Sequence, residues 1–140
     1  MRCAVLLLLV LTLAGCTMPS FSSCKAVGAT DARFGATWTH GNVTSLDDAL
    51  AQAGWTQVAD SKWFLLVNES VQVFAVTGGG SVGPVGGVVI GFDAHGTNVT
   101  SEDQARVVLE PMVTPVLRAA EPKLGKPTAS SYEGGHLACG

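Results

Sequence analysis

The chain begins with an uncharged run, Ala4 to Leu13, in which Thr12 is the only polar residue. The run is about half the roughly 20 residues that a membrane-spanning helix needs. With Arg2 in front of it, it predicts the apolar region of a secretory leader and not a permanent span. Small polar residues follow from Thr17 to about Thr30 without any apolar period, which predicts a tether. Apolar positions then recur in ordered patterns as far as Val116.

Arg33 to Thr39, carrying Phe34 and Trp38, predicts a first strand, and His40-Gly41-Asn42 a turn. Leu46, Ala49, Leu50 and Ala53 fall at helical spacing behind Ser45 as cap, with Gly54 as the stop. Asp47 and Asp48 then lie in the first turn, where the helix dipole favours acids. Trp55 to Ala59, Lys62 to Val67 and Val71 to Thr77 read as strands, turning at Asp60-Ser61 and Asn68-Glu69. Trp63 to Val67 is apolar on both faces, so that strand belongs inside the sheet. Gly87 to Phe92 adds a further strand.

Ser101-Glu102-Asp103-Gln104 forms a capping box that opens a second helix. Its apolar stripe is Ala105, Val108, Leu109, Met112 and Val116. Pro111 and Pro115 each lack an N–H, which predicts a kink or two short helices meeting near Glu110. The tail from Lys123 reads as loop with one edge strand. The whole predicts an α+β fold: an antiparallel sheet of three to five strands with two helices packed on one face. Residues 1–15 read as a cleaved leader, 16–30 as the tether and 31–140 as a single domain.

Composition narrows the possible functions. Without the leader about 125 residues remain, enough for one domain with a real core. Loss of Arg2 moves the formal net charge from −3 to about −4. No basic patch offers itself to phosphates, so nucleic acid is not an expected partner. Charged residues make up 14% of the chain, well under the usual quarter, so the surface is expected to rest on Thr, Ser, Gly, Ala and Gln.

The leader ends in Leu13-Ala14-Gly15-Cys16. This resembles the lipobox of bacterial lipoproteins, over the first sixteen residues only. The resemblance implies cleavage before Cys16, a thioether to diacylglycerol on its sulfur and acylation of the new amino terminus with a fatty chain such as palmitate. Several acyl chains give stable anchoring, at about 0.8 kcal/mol per buried CH₂. Thr17 follows in place of Asp, which in that family favours the outer membrane, facing the periplasm, where two membranes exist. The other reading is a plain signal peptide with an incidental cysteine. All three Asn residues, Asn42, Asn68 and Asn98, stand in N-x-S/T sequons that a eukaryotic secretory route could glycosylate.

Two cysteines remain for the domain, Cys24 and Cys139. In an oxidising compartment they suggest a disulfide stapling the tail to the start of the domain. Such a loop contributes up to about 5 kcal/mol on the chain-entropy account. Two free thiols or an intermolecular bridge are the alternatives.

Several motifs tempt and fail. Residues 78–87, with six glycines, match both G-x-G-x-x-G and G-x-S-x-G, the latter around Ser81. Both motifs need a helix to follow, for pyrophosphate or for a nucleophile elbow, and here Pro84 and a strand follow. Asp93, His95 and His136 lack ligand spacing and read as surface groups on turns. Trp38, Trp55 and Trp63 read as core.

The expectation is therefore a non-catalytic, lipid-anchored envelope protein without cofactor or metal, held to the membrane through Cys16. It would bind an envelope protein as an assembly or inhibitor module. A small-ligand carrier with a cleft between sheet and helix is the alternative, and a small serine hydrolase using Ser81 a remote third.

Overall fold

A computed structural model describes residues 24–80 and 86–139. The α+β class holds, with six strands in the main sheet where three to five were expected. In chain order the elements are β1 (Cys24–Gly28), β2 (Thr30–Trp38), α1 (Val43–Gln52), β3 (Thr56–Ala59), β4 (Lys62–Leu66) and β5 (Gln72–Gly80), followed by β6 (Gly87–Val99), α2 (Glu102–Leu124), β7 (Ala129–Glu133) and β8 (His136–Cys139). The sheet runs β3-β4-β5-β6-β2-β7, antiparallel at every pairing. β4 lies between β3 and β5, inside the sheet as its two apolar faces require.

Five residues of the stretch read as tether form β1, which pairs with β8 in a separate two-stranded ribbon. Its register sets Cys24 opposite Cys139. The ribbon could not be read locally, because β1 has no apolar alternation and takes its order from a partner at the other end of the chain.

Both helices cover one face of the sheet. Along β2 the even positions Ala32, Phe34, Ala36 and Trp38 are buried, and along β6 Val88, Ile90, Phe92 and Ala94. Leu46, Ala49 and Leu50 of α1, with Ala105, Leu109, Val113, Val116 and Ala120 of α2, close that core. Trp38, Trp55 and Trp63 lie in it, each at most 6% exposed. The space between sheet and helices, where a carrier's cleft was to lie, is filled by side chains with almost no exposure, Phe92, Leu46, Leu50, Ile90 and Leu109 among them.

Three local readings change. Asn42, not Ser45, caps α1, its Oδ1 accepting from Thr44 N at 3.0 Å. The earlier start moves Asp47 and Asp48 out of the first turn. Asp47 Oδ1 instead accepts from Trp63 Nε1 at 3.0 Å and from Thr77 Oγ1 at 2.8 Å, which pins α1 to β4 and β5. α2 runs unbroken through Pro111, Pro115 and Pro122. All three prolines are exposed. The carbonyls they leave unpaired, four residues earlier, therefore fall on the solvated side, where water replaces the lost donor. The buried stripe on the opposite side holds the helix together. Ser101 Oγ accepts from Gln104 N as the capping box requires, while Gln104 Oε1 takes Thr100 N and Oγ1.

Each asparagine has a backbone reason. Asn42 caps a helix, Asn68 Oδ1 accepts from Ser70 N and Val71 N in the β4–β5 turn, and Asn98 holds φ 47°.

Candidate functional site

The face of the sheet away from the helices is uncovered by any described residue. Antiparallel register arranges its side chains in rows across the strands. One row reads Phe64, Phe74, Asp93, Arg33, Glu133 from β4 to β7. The next reads Lys62, Val76, Gly91, Gly35, Ser131. Beyond these lie Gly78, Val89, Thr37 and Ala129 on one side, and Leu66, Gln72 and His95 on the other.

The two facing glycines leave a groove of about 620 Å³. Phe74 and Val76 bound it on one flank, Ser131 and Glu133 on the other, and Arg33, Asp93 and His95 at one end. A second depression, over Thr37, Val89 and Ala129, shares Gly35, Val76, Gly91 and Ser131 with it and extends it into a trough. Leu66 and Val76 on this face are 59% and 49% exposed.

A β-bulge builds the polar end. The β2–β6 register shifts between Thr30 and Ala32, with Thr97 Oγ1 accepting from Ala32 N and donating to Ala94 O, each at 2.8 Å. The bulge aims Asp31 at the backbone of β6 around Gly96. Its Oδ1 there accepts from Gly96 N at 3.0 Å, and its Oδ2 meets His95 Nδ1 at 3.0 Å. Gly96 holds φ 86° within the strand. His95 Nε2 lies 4.0 Å from Asp93 Oδ2, which Arg33 Nε approaches to 3.5 Å. Asp93 Oδ1 is buried and has no hydrogen-bond partner among the described residues. Phe74 meets the His95 ring edge-on at 5.5 Å and packs at a tilt on Phe64 at 5.2 Å.

Asp93 and His95 therefore stand on a strand and not on turns, and the fold joins to them a residue the sequence had not suggested, Asp31. Asp31, Asp93 and His95 each offer one donor atom within 4.8 Å of the others, a set able to take a divalent cation, with the Arg33 guanidinium beside it as an opposing charge. His136 belongs to β8 in the other sheet.

Asp31 Oδ2 orients the His95 ring through Nδ1. Ser131, the serine lining the groove, is two strands and two rows from His95, roughly 16 Å at the backbone. His95 is opposite Gln72, and Gly80 lies eight positions further along β5, roughly 26 Å away. Ser81, like Cys16, lies outside the described residues. Of Cys24 and Cys139 the structure gives the backbone pairing alone.

Arg33, Gly35 and Gly91 also escaped sequence reasoning. Their signal was the alternation of β2 and β6, whose odd positions form a second face. No protein-family model, curated protein or solved structure matches this chain, so the reading rests on its own geometry. Among the described residues no helix is long and apolar enough to cross a membrane.

Proposed function

We propose that this is a non-catalytic, lipid-anchored protein of the cell envelope that binds a protein partner on the open face of its sheet. The observation that carries the reading is the contrast between the two faces. One is sealed by two helices, and the other presents an apolar trough with a polar end and no cover among the described residues. A contiguous exposed apolar surface rimmed by polar groups marks an interaction site. The long separation between His95 and Ser131, the serine that lines the groove, weighs against hydrolysis there. The filled space under the helices weighs against a carrier whose ligand sits there.

Anchoring rests on the Leu13-Ala14-Gly15-Cys16 motif and is tested by mass spectrometry of the mature amino terminus. A diacylglyceryl-modified Cys16 is expected, and an unmodified terminal peptide would overturn it. The antiparallel register of Cys24 and Cys139 supports their disulfide, since facing Cα atoms lie roughly 4.5–5.5 Å apart and a disulfide spans about 4.4–6.8 Å. Non-reducing peptide mapping is expected to recover the two cysteines in one linked fragment.

The binding reading is tested with a photo-crosslinking residue placed in intact cells at Val76 on the open face, or at Val107 on the exposed side of α2. A discrete adduct from Val76 and none from Val107 is expected. Equal adducts from both positions, or none from Val76, would overturn it.

A further inference from the structure

Resting on that reading, we infer that the groove is a socket for one aromatic side chain of the protein partner, with a basic residue beside it in the partner's chain. The ring lies over Gly35 and Gly91, and the base faces Asp93 and Glu133.

The glycines carry the first step. They face each other in the middle of β2 and β6. Neither is among the positive-φ glycines, so no turn geometry requires them. A Cβ added at Gly35 would meet nothing within 4 Å, and one at Gly91 would meet only Phe34 O at 4.0 Å. Packing does not require them either. Glycine inside a strand weakens it and gives neighbours nothing to pack on, and its remaining use is to let a ligand or another chain come close.

The second step is that no ring among the described residues covers them. Sheets rescue such glycines by laying an aromatic ring over them from the same face. The same-face aromatics of this sheet are engaged elsewhere, Phe74 against Phe64 and the His95 ring. The bare patch is framed by Phe74 and Val76 on one flank and Ser131 on the other, three strand spacings or roughly 14 Å apart. That frame admits a flat ring on the peptide planes, with Val76 and Phe74 against its edge.

Charge decides what accompanies the ring. Three carboxylates, Asp31, Asp93 and Glu133, stand at the end beside the glycines; Arg33 holds Asp93 by a single Nε at 3.5 Å, and the His95 ring meets Asp31 Oδ2 at 3.0 Å and Asp93 Oδ2 at 4.0 Å. Asp93 Oδ1 accepts from no described residue. Lys62, opposite Val76 on β4, lines the groove from the far flank, away from these carboxylates. The end beside the glycines thus has surplus carboxylate, which a base adjoining the ring complements.

The test uses the full mature chain carrying Cys16→Ser and follows its amide NMR spectrum during titration with acetyl-tryptophanyl-lysine amide. Saturable ring-current shifts are expected at the Gly35 and Gly91 amides. Acetyl-leucyl-lysine amide should bind roughly three- to tenfold more weakly, the worth of one aromatic contact. Acetyl-tryptophanyl-glutamate amide should also bind more weakly than the lysine peptide. Gly91→Val should abolish the shifts, and Gly35→Ala, a smaller change, should weaken them if the first variant does not fold.

Equal affinity for the leucine peptide, or shifts centred away from the two glycines, would overturn the socket. If the peptides fail while Gly91→Val still removes the Val76 adduct in cells, the open face remains the docking surface and the aromatic assignment alone falls. If Gly91→Val leaves both peptide binding and adduct unchanged, the groove has no part in binding and both readings fall.

Discussion

Asp47 and Asp48 are neighbours of equal charge on α1, and their removal should have very different effects. Asp47 Oδ1 takes two donors, the Trp63 indole N–H and the Thr77 hydroxyl, from residues only 6% and 2% exposed. Asp47→Ala leaves both donors without a partner in the core, at about 1–3 kcal/mol each. The gain in helix propensity returns about 0.5 kcal/mol. A net loss of about 3 kcal/mol follows. Asp48 has one partner, Lys123 Nζ at 3.4 Å, with the two side chains 50% and 60% exposed. Such a pair is worth about 0–1 kcal/mol, which the propensity gain of alanine offsets.

Equilibrium urea unfolding, followed by tryptophan fluorescence, reads the difference. With a slope of about 1.5 kcal/mol per molar, Asp47→Ala should lower the midpoint by about 2 M and Asp48→Ala by less than about 0.3 M. Asp47→Asn keeps an acceptor at the same place and should fall between them. Equal midpoints for the two alanine variants would refute the assignment and return both carboxylates to a common role in the helix dipole.

Further outcomes follow from the same geometry. Gly91→Ala should stabilise the fold by about 0.5–1 kcal/mol, because the new Cβ enters open space, whereas Gly87→Ala should destabilise it, because its Cβ would run into Trp38 O. Urea midpoints moving in the same direction would contradict the placement of β6. Pro111→Ala or Pro115→Ala should stabilise α2 by about 2 kcal/mol, the interior proline penalty less the entropy regained by the unfolded chain, and an unchanged midpoint would show that the helix is not continuous there. The Tyr132 phenol is pushed above its ordinary 10.0, first by burial and then by Glu110, with Arg106 opposing. Its contribution to stability is therefore complete below pH 10 and is lost as pH rises through the folded value. Phenolate absorbance should appear later in the native chain than in urea.

The elements were legible where one segment carries its own pattern. The α1 stripe, the Ser101 cap and the apolar β4 each announce themselves within about ten residues, because the helical or strand period repeats inside that window. The prolines of α2 misled for a reason equally local. A proline reads as a break unless the solvated side it occupies is known, and that side depends on which stripe the sheet covers. β1 and the Cys24–Cys139 register needed contact between the two ends of the domain, which no local window contains.

The candidate site was invisible for the same reason, carried further. Gly35 and Gly91 are unremarkable alone, Gly35 the single glycine of β2 and Gly91 one of three in β6. They become a bare floor only when β2 and β6 pair in one register, across 56 positions of sequence, and a shift by a single residue would send one of them to the helix face. That register is fixed from the other side of the sheet, by Ala32, Phe34, Ala36 and Trp38 meeting Ala94, Phe92, Ile90 and Val88 in the core. The burial that stabilises the fold therefore also dictates what the open face displays. A core substitution that slips this register should erase the groove while leaving the strands intact.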